Sequence, residues 1–333
     1  MSGLIHAGSV SDVASYDHIL VFLSGGKDSI ACLDAVLAAG TDPERIELHH
    51  HDVDGAGPAL MDWPVTASYC RALARSFDLP LFTSWKEGGF RREMLRDDAP
   101  TAPIHYQSPI GIRVAGGDGP RNTRLRFPQV SADLAVRWCS PYLKIMVADA
   151  LIRGDDRFLD RRTLVVTGER AEESPSRARY ATFEPHRTDT RAGMRRRRHV
   201  DHWRPVHAWR EADVWEAVRR HGVVPHVGYQ LGWSRLSCMA CIFMSANQAA
   251  SIRFMAPDVF AALADYERGF GCTIKRGMPL DELADRGRPY DQVLARPDLV
   301  RLALSGEWDQ PIRVAPHRWV LPAGASGEKA GPT

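Results

Sequence analysis

One short segment, Ser24-Gly25-Gly26-Lys27-Asp28-Ser29, constrains the fold of this chain more than any other, because of what flanks it. Residues 19–23 form an apolar run that reads as a buried strand. After the glycines, Ile30, Leu33, Val36 and Leu37 recur at helical spacing up to Gly40, a helix-stop residue. Residues 45–51 then alternate Ile46 and Leu48 with polar neighbours, which predicts a second strand. A strand, glycine turn, helix and strand in this order is the unit of parallel sheets covered by helices. Two adjacent glycines let the turn aim its amides inward, and the helix behind them adds the positive end of its dipole, so the turn suits a phosphate. Lys27 offers a point charge, Ser24 and Ser29 offer hydroxyls, and Asp28 offers a carboxylate for magnesium. The spacing is neither that of a Walker A loop nor that of a dinucleotide fingerprint.

Further along, residues 66–77 read as a helix and 79–83 as a third strand. Residues 97–122, rich in Pro, Gly and Asp, read as an irregular loop. A helix or bent helical pair is expected over 131–152, a central strand over 163–167 and an amphipathic helix over 213–221. Residues 184–200 include the run Arg195 to Arg198 and read as a mobile basic loop, able either to sit in solvent or to grip a nucleic-acid backbone. The expected organisation is an N-terminal extension (1–17), a main domain (18–243), a mostly helical C-terminal part (244–322) and a disordered tail (323–333).

A formal net charge of +2 over 333 residues argues against a dedicated polyanion-coating protein, and six cysteines are too few for a disulfide scaffold. No apolar run approaches a membrane span and no secretory signal is recognisable, so a cytoplasmic location without membrane contact is expected. Cys238 and Cys241 have a spacing that lets two thiolates reach one metal, whether iron–sulfur or zinc, and an isolated redox or structural Cys-x-x-Cys has the same spacing. Arg170 should emerge at the carboxyl end of a central strand, where open parallel sheets place their sites, with Glu173 and Arg177 close behind. In His49-His50-His51, only His49 and His51 share a strand face.

Residues 24–29 match the SGGxDS loop of the PP-loop ATP pyrophosphatases, the adenine nucleotide alpha hydrolases. Arg137-Trp138-Cys139 with Tyr142-Leu143-Lys144, the string Gly168 to Ser174 with Arg177, His202-Trp203-Arg204-Pro205 and Cys238-Met239-Ala240-Cys241 resemble the phosphoadenosine phosphosulfate (PAPS) reductase-like branch. The resemblance implies an α/β fold with a doubly wound five-stranded parallel sheet and cleavage of ATP between its alpha and beta phosphates. It implies that Ser24, Gly25, Gly26, Lys27, Asp28, Ser29, His51 and Gly168 bind ATP and that Lys27, Asp28 and Arg170 act in catalysis. Lys144, Arg170, Glu173, Arg177, Arg204 and Arg235 are then the candidates for an anionic substrate. It also implies that Cys139 joins Cys238 and Cys241 at a four-iron, four-sulfur cluster, or at a zinc site completed by His202 or His207; Cys272 is left out of that set.

The departures matter too. No cysteine follows Cys272, where adenylyl sulfate reductases carry their catalytic thiol, and Ser140 replaces the second member of a Cys-Cys pair. ATP-dependent sulfur transfer to a nucleic acid, by DNA phosphorothioation or RNA thiolation, is therefore the expected function. Magnesium and a sulfur donor such as a cysteine desulfurase would be partners, and a homodimer is the oligomer to consider. An adenylyl sulfate reductase and a non-catalytic nucleotide- or nucleic-acid-binding subunit are the alternatives.

Overall fold

The computed structural model describes residues 12–131, 133–236 and 238–328. The chain begins with β1 (His18–Phe22), the glycine turn and α1 (Lys27–Ala38), then β2 (Ile46–Asp52), α2 (Thr66–Ser76) and β3 (Leu81–Lys86). The apolar run of β1 pairs on both sides, so Ile19, Leu20 and Val21 are fully buried. Next come α3 (Gly89–Met94), β4 (Ile104–Ser108) and β5 (Gly111–Ala115), followed by a π-helical turn (Pro141–Ile145) running into α4 (Met146–Gly154). The sheet is completed by β6 (Arg162–Val166), β7 (Phe183–Pro185) and β8 (His199–Trp203).

Strand order across the eight-stranded sheet is β5-β4-β3-β2-β1-β6-β8-β7. The central five, β3, β2, β1, β6 and β8, are parallel, which is the expected sheet. Antiparallel strands extend both of its edges. Two loop expectations are corrected here. Residues 97–122 contain the β4–β5 hairpin, which adds to the open edge of β3. The segment 184–200 is bounded by β7 and β8 and tied down by its arginines. Arg196 pairs with Asp156 at 2.5 Å and Arg197 with Asp160 at 3.0 Å, while buried Arg198 donates to the carbonyls of Ile152 (2.9 Å) and Arg153 (2.6 Å).

From Glu211 onward the chain is helical: α5 (Glu211–Arg220), α6 (Val227–Gln230), α7 (Ala246–Met255), α8 (Pro257–Phe270), α9 (Leu280–Asp285), α10 (Asp291–Ala295) and α11 (Pro297–Leu304). Its apolar side chains share one core with α1 and α2. The tail expected to be disordered is ordered as far as it is described. Residues 323–326 form a 3-10 turn, and Glu328 accepts hydrogen bonds from Tyr290 (2.7 Å) and Asn247 (3.3 Å) as well as Ser245. Residues 329–333 and 1–11 lie outside the described residues. Among the described residues, no helix is long and apolar enough to cross a membrane.

Candidate functional site

Chain order reverses direction in the sheet at β1, because β2 and β3 lie on one side of it and β6 and β8 on the other. The crevice beyond the carboxyl ends of β1 and β6 is where a doubly wound sheet holds its ligand. The glycine turn leaves β1 there and residues 167–173 leave β6. The two approach so closely that a Cβ on Gly168 would lie 3.0 Å from the carbonyl carbon and oxygen of Asp28. Gly25 has φ +76°, which a side chain would strain, and Ser29 Oγ donates to the Gly26 carbonyl at 2.8 Å, bracing the turn against α1.

Charged groups in this crevice are paired within the chain. Arg170 Nε meets Asp28 Oδ1 at 2.6 Å and Arg170 Nη1 meets Glu172 at 3.2 Å. Arg177 and Arg235 both engage Glu173, the latter at 3.0 Å. Burial opposes the charge of Asp28, but Lys27 and Arg170 outweigh it and hold the carboxyl below its usual range. Lys27 departs from expectation. Its side chain is 2% exposed, with Nζ 3.4 Å from the Ser234 carbonyl, 3.4 Å from Glu211 and 3.6 Å from Asp28, over the rings of Trp215 and Tyr229. Burial alone would discharge it; the Tyr229, Asp28 and Glu211 groups keep it protonated. Lys27 thus braces α1 against α5 and α6 rather than presenting a free charge, and Asp28 lies between two cations, Lys27 and Arg170. Arg204 is likewise turned inward, donating to the Ala181 carbonyl at 2.6 Å and to Glu184 at 2.8 Å.

A second space adjoins the turn. A cavity of about 190 Å³ is lined by Ser24, the three histidines of β2, Asp62, Lys144, Leu236 and Cys238, among others. His51, half-buried on its wall, has no hydrogen-bond partner on either ring nitrogen among the described residues, and burial holds it neutral. Its neighbours are committed: His49 Nε2 lies 3.3 Å from Glu47, and His50 Nδ1 donates to the Leu23 carbonyl at 3.0 Å. Burial and then Asp54 push Asp62 up to about 7. Lys144 is exposed along its side chain; desolvation of its ammonium opposes the charge, but Cys238, Asp62, Cys139 and Cys241 outweigh it, so all three motif thiols lie near one cation. Burial raises the thiols of Cys139 and Cys238.

The donor set is soft, as an iron–sulfur cluster requires, but its arrangement does not fit one. Among the described residues, no three His, Cys, Asp or Glu side chains are disposed to share a metal ion. The zinc alternative also lacks its fourth ligand. His202 is held by Thr167 Oγ1 (2.6 Å) and Arg204 (3.0 Å), and His207 Nε2 donates to the Arg177 carbonyl at 2.9 Å. Sequence reasoning missed Tyr229, Glu211, Ser234 and Asp62, which lie far from the glycine turn along the chain and carry no spacing signal.

Residues 133–244 match the phosphoadenosine phosphosulfate reductase domain family, and four of the motifs quoted above, from Arg137 to Cys241, fall inside that match. The chain is also 34% identical over 158 residues to an uncharacterized 37.8 kDa protein of Escherichia phage 186. That alignment covers 46% of this chain and 42% of the relative, so it spans less than half of the relative's length. Among solved structures, it is similar to Candida glabrata FMN adenylyltransferase in complex with FAD and inorganic pyrophosphate, with TM-score 0.37 and 11% identity over 68% of this chain and 56% of that one. The same enzyme in complex with FMN and the ATP analogue AMPCPP gives TM-score 0.36 at 11% identity, with the same coverage.

Proposed function

We propose that this protein is an ATP-utilising enzyme of the PAPS reductase-like type that activates an acceptor oxygen by adenylation and replaces it with sulfur. The observation that carries this reading is the single cavity in which the glycine turn, through Ser24, and unpartnered His51 face Lys144 and Cys238. A nucleotide loop and a thiol that open into one space suit two successive displacements. In the first, an acceptor oxygen attacks the alpha phosphorus of ATP and pyrophosphate leaves. In the second, hydrosulfide from a sulfur donor attacks the adenylated centre, AMP leaves carrying the former acceptor oxygen, and the hydrosulfide proton is released to solvent. The proposed acceptor is a nucleic acid.

On this reading the individual side chains take the following roles. Gly25, Gly26 and Ser29 shape the turn, and Ser24 and His51 contact the nucleotide. Arg170 stays near the reacting phosphates, positioned by Asp28, and Lys27 acts as a positioning residue beneath the turn. Lys144 stabilises the incoming hydrosulfide anion next to the Cys238 thiol, with Cys139 and Cys241 close by.

The test separates the two half-reactions. With ATP and magnesium, wild-type protein is expected to release pyrophosphate in the presence of an acceptor strand. Cys238→Ser should keep that release and lose sulfur incorporation, whereas Ser24→Ala with His51→Ala should lose both. Orthophosphate as the only product, or no product, would reduce the protein to a nucleotide-binding module. Release of sulfite from an adenylyl sulfate would identify a reductase instead. Anaerobic purification followed by iron and sulfide analysis reports on the thiols separately, and stoichiometric iron would show that they converge on loading.

A further inference from the structure

A cluster of buried positive charge lies outside that cavity. Lys86, Arg96 and Arg124 surround a single buried carboxylate, Glu93, which is 1% exposed. Arg124 meets Glu93 Oε1 at 2.9 Å and Arg96 meets it at 3.4 Å, while the other carboxylate oxygen accepts from Thr101. Lys86 has no carboxylate within ion-pair distance among the described residues; its ammonium donates to Thr101 Oγ1 (2.9 Å) and the Ala102 carbonyl (3.2 Å). The Nε atoms of Arg96 and Arg124 have no hydrogen-bond partner among the described residues. All three cations lie against the Tyr142 ring, within 5.7 Å of its centre, and Arg124 also covers Trp138. Burial, reinforced by Arg96 and Arg124, pulls Lys86 down to about 8, as a local cationic excess should.

Three cations on one carboxylate leave charge that a protein interior does not tolerate without a counter-ion. A cavity of about 590 Å³ opens beside them, lined by Arg91, Arg92, Glu93, Arg96 and Ala102. Its acids are already engaged: Asp54 by the amides of residues 60–62, Asp97 by Thr123, and Glu93 as described. Exposed Arg91 has no ion pair among the described residues. The loop 53–62 separates this cavity from the thiol-containing one, since Asp54, Gly57 and Pro58 line the first and Val53 and Asp62 the second. By contrast, Arg196, Arg197 and Arg198 of the basic run engage their own chain.

We propose that the cavity beside α3 is a phosphate-binding subsite, with Arg96 and Arg91 as its donors, and that it holds a backbone phosphate of the nucleic-acid acceptor. The identity of the acceptor rests on the proposed function; the affinity for phosphate does not. The full chain is tested by fluorescence anisotropy with a labelled mixed-sequence single-stranded oligonucleotide and, separately, by thermal melting with inorganic phosphate. Arg91→Glu and Arg96→Gln are each expected to weaken the oligonucleotide about tenfold or more and to flatten its salt dependence. Arg195→Glu combined with Arg197→Glu should retain wild-type affinity. Inorganic phosphate should raise the wild-type melting temperature and displace the oligonucleotide. Since Arg96 is buried, the Arg91 variant keeps the test valid if Arg96→Gln melts early. Stabilisation by phosphate without oligonucleotide binding would keep the subsite and overturn its link to the acceptor. Loss of binding only in the Arg195 and Arg197 variant, or no response to either probe, would overturn the subsite. Pyrophosphate release from ATP is measured independently, so failure of the proposed reaction and failure of the subsite give different results.

Discussion

At the residue scale, the crevice is a set of opposite charges that hold one another in place. Lys27, Arg170, Arg177 and Arg235 are matched by Asp28, Glu172, Glu173 and Glu211. On the proposed function, an incoming triphosphate would have to compete with those carboxylates. Removing one partner of a buried pair costs more than removing an exposed one, because the remaining charge has no water to turn to. Lys27→Met should therefore lower stability by about 3 kcal/mol or more and abolish pyrophosphate release. Arg177→Ala, at a quarter-exposed side chain, should cost within about 1 kcal/mol. Thermal denaturation of the two variants side by side checks the contrast. Three histidines supply a second prediction. Burial pulls His186, His202 and His226 down to about 3, so they are neutral in the fold, whereas the unfolded chain takes up their protons below about 6.5. Their contribution to stability is complete above pH 6.5 and is lost as pH falls toward 3. Urea midpoints measured from pH 7 to pH 4 should fall, and His202→Gln should make that fall shallower.

At the element scale, the crevice depends on how closely the loop after β6 approaches the start of α1. Gly168→Ala inserts a methyl group 3.0 Å from the Asp28 backbone, which must push the two loops apart. Pyrophosphate release should drop about tenfold or more with a small change in melting temperature, because catalytic geometry tolerates less displacement than packing does. The elements here differ in how well the sequence announces them. β1, α1, β2 and β6 show apolar runs or helical periodicity strong enough to identify them. β4 and β5 do not, since five-residue strands lying among Pro, Gly and Asp gain their stability from the edge of β3. β8 carries only Val200 and Trp203 as apolar anchors and becomes a strand by pairing with β6. Its arginine-rich neighbourhood resembles a solvated loop until Asp156 and Asp160 are seen opposite it.

At the scale of the whole molecule, the C-terminal segment closes the structure around the site. Ser234, whose carbonyl accepts from Lys27, donates its own hydroxyl to the Glu328 carbonyl at 2.6 Å. A Cβ on Gly324 would lie 2.0 Å from the Trp233 carbonyl, so the segment packs directly on the strand of chain beside Lys27. Glu328→Ala should lower stability by about 1–3 kcal/mol through loss of its bonds to Tyr290, Ser245 and Asn247. Removing residues 322–333 should in addition raise the KM for ATP, and the two effects are read by melting and by steady-state pyrophosphate release. By itself, the sequence determined that a glycine turn follows a buried strand, that a parallel sheet surrounds it and that three cysteines sit in motifs of one family. Those are local or periodic properties, written in consecutive residues. Only the tertiary structure decided that Lys27 faces inward, that Asp28 belongs to Arg170, that His51 and Cys238 share a cavity and that Arg196, Arg197 and Arg198 are already engaged. With 43 basic and 41 acidic side chains, the possible pairings are far too many for spacing to select among. Chain topology selects them, by bringing charges distant in sequence to the same end of the sheet.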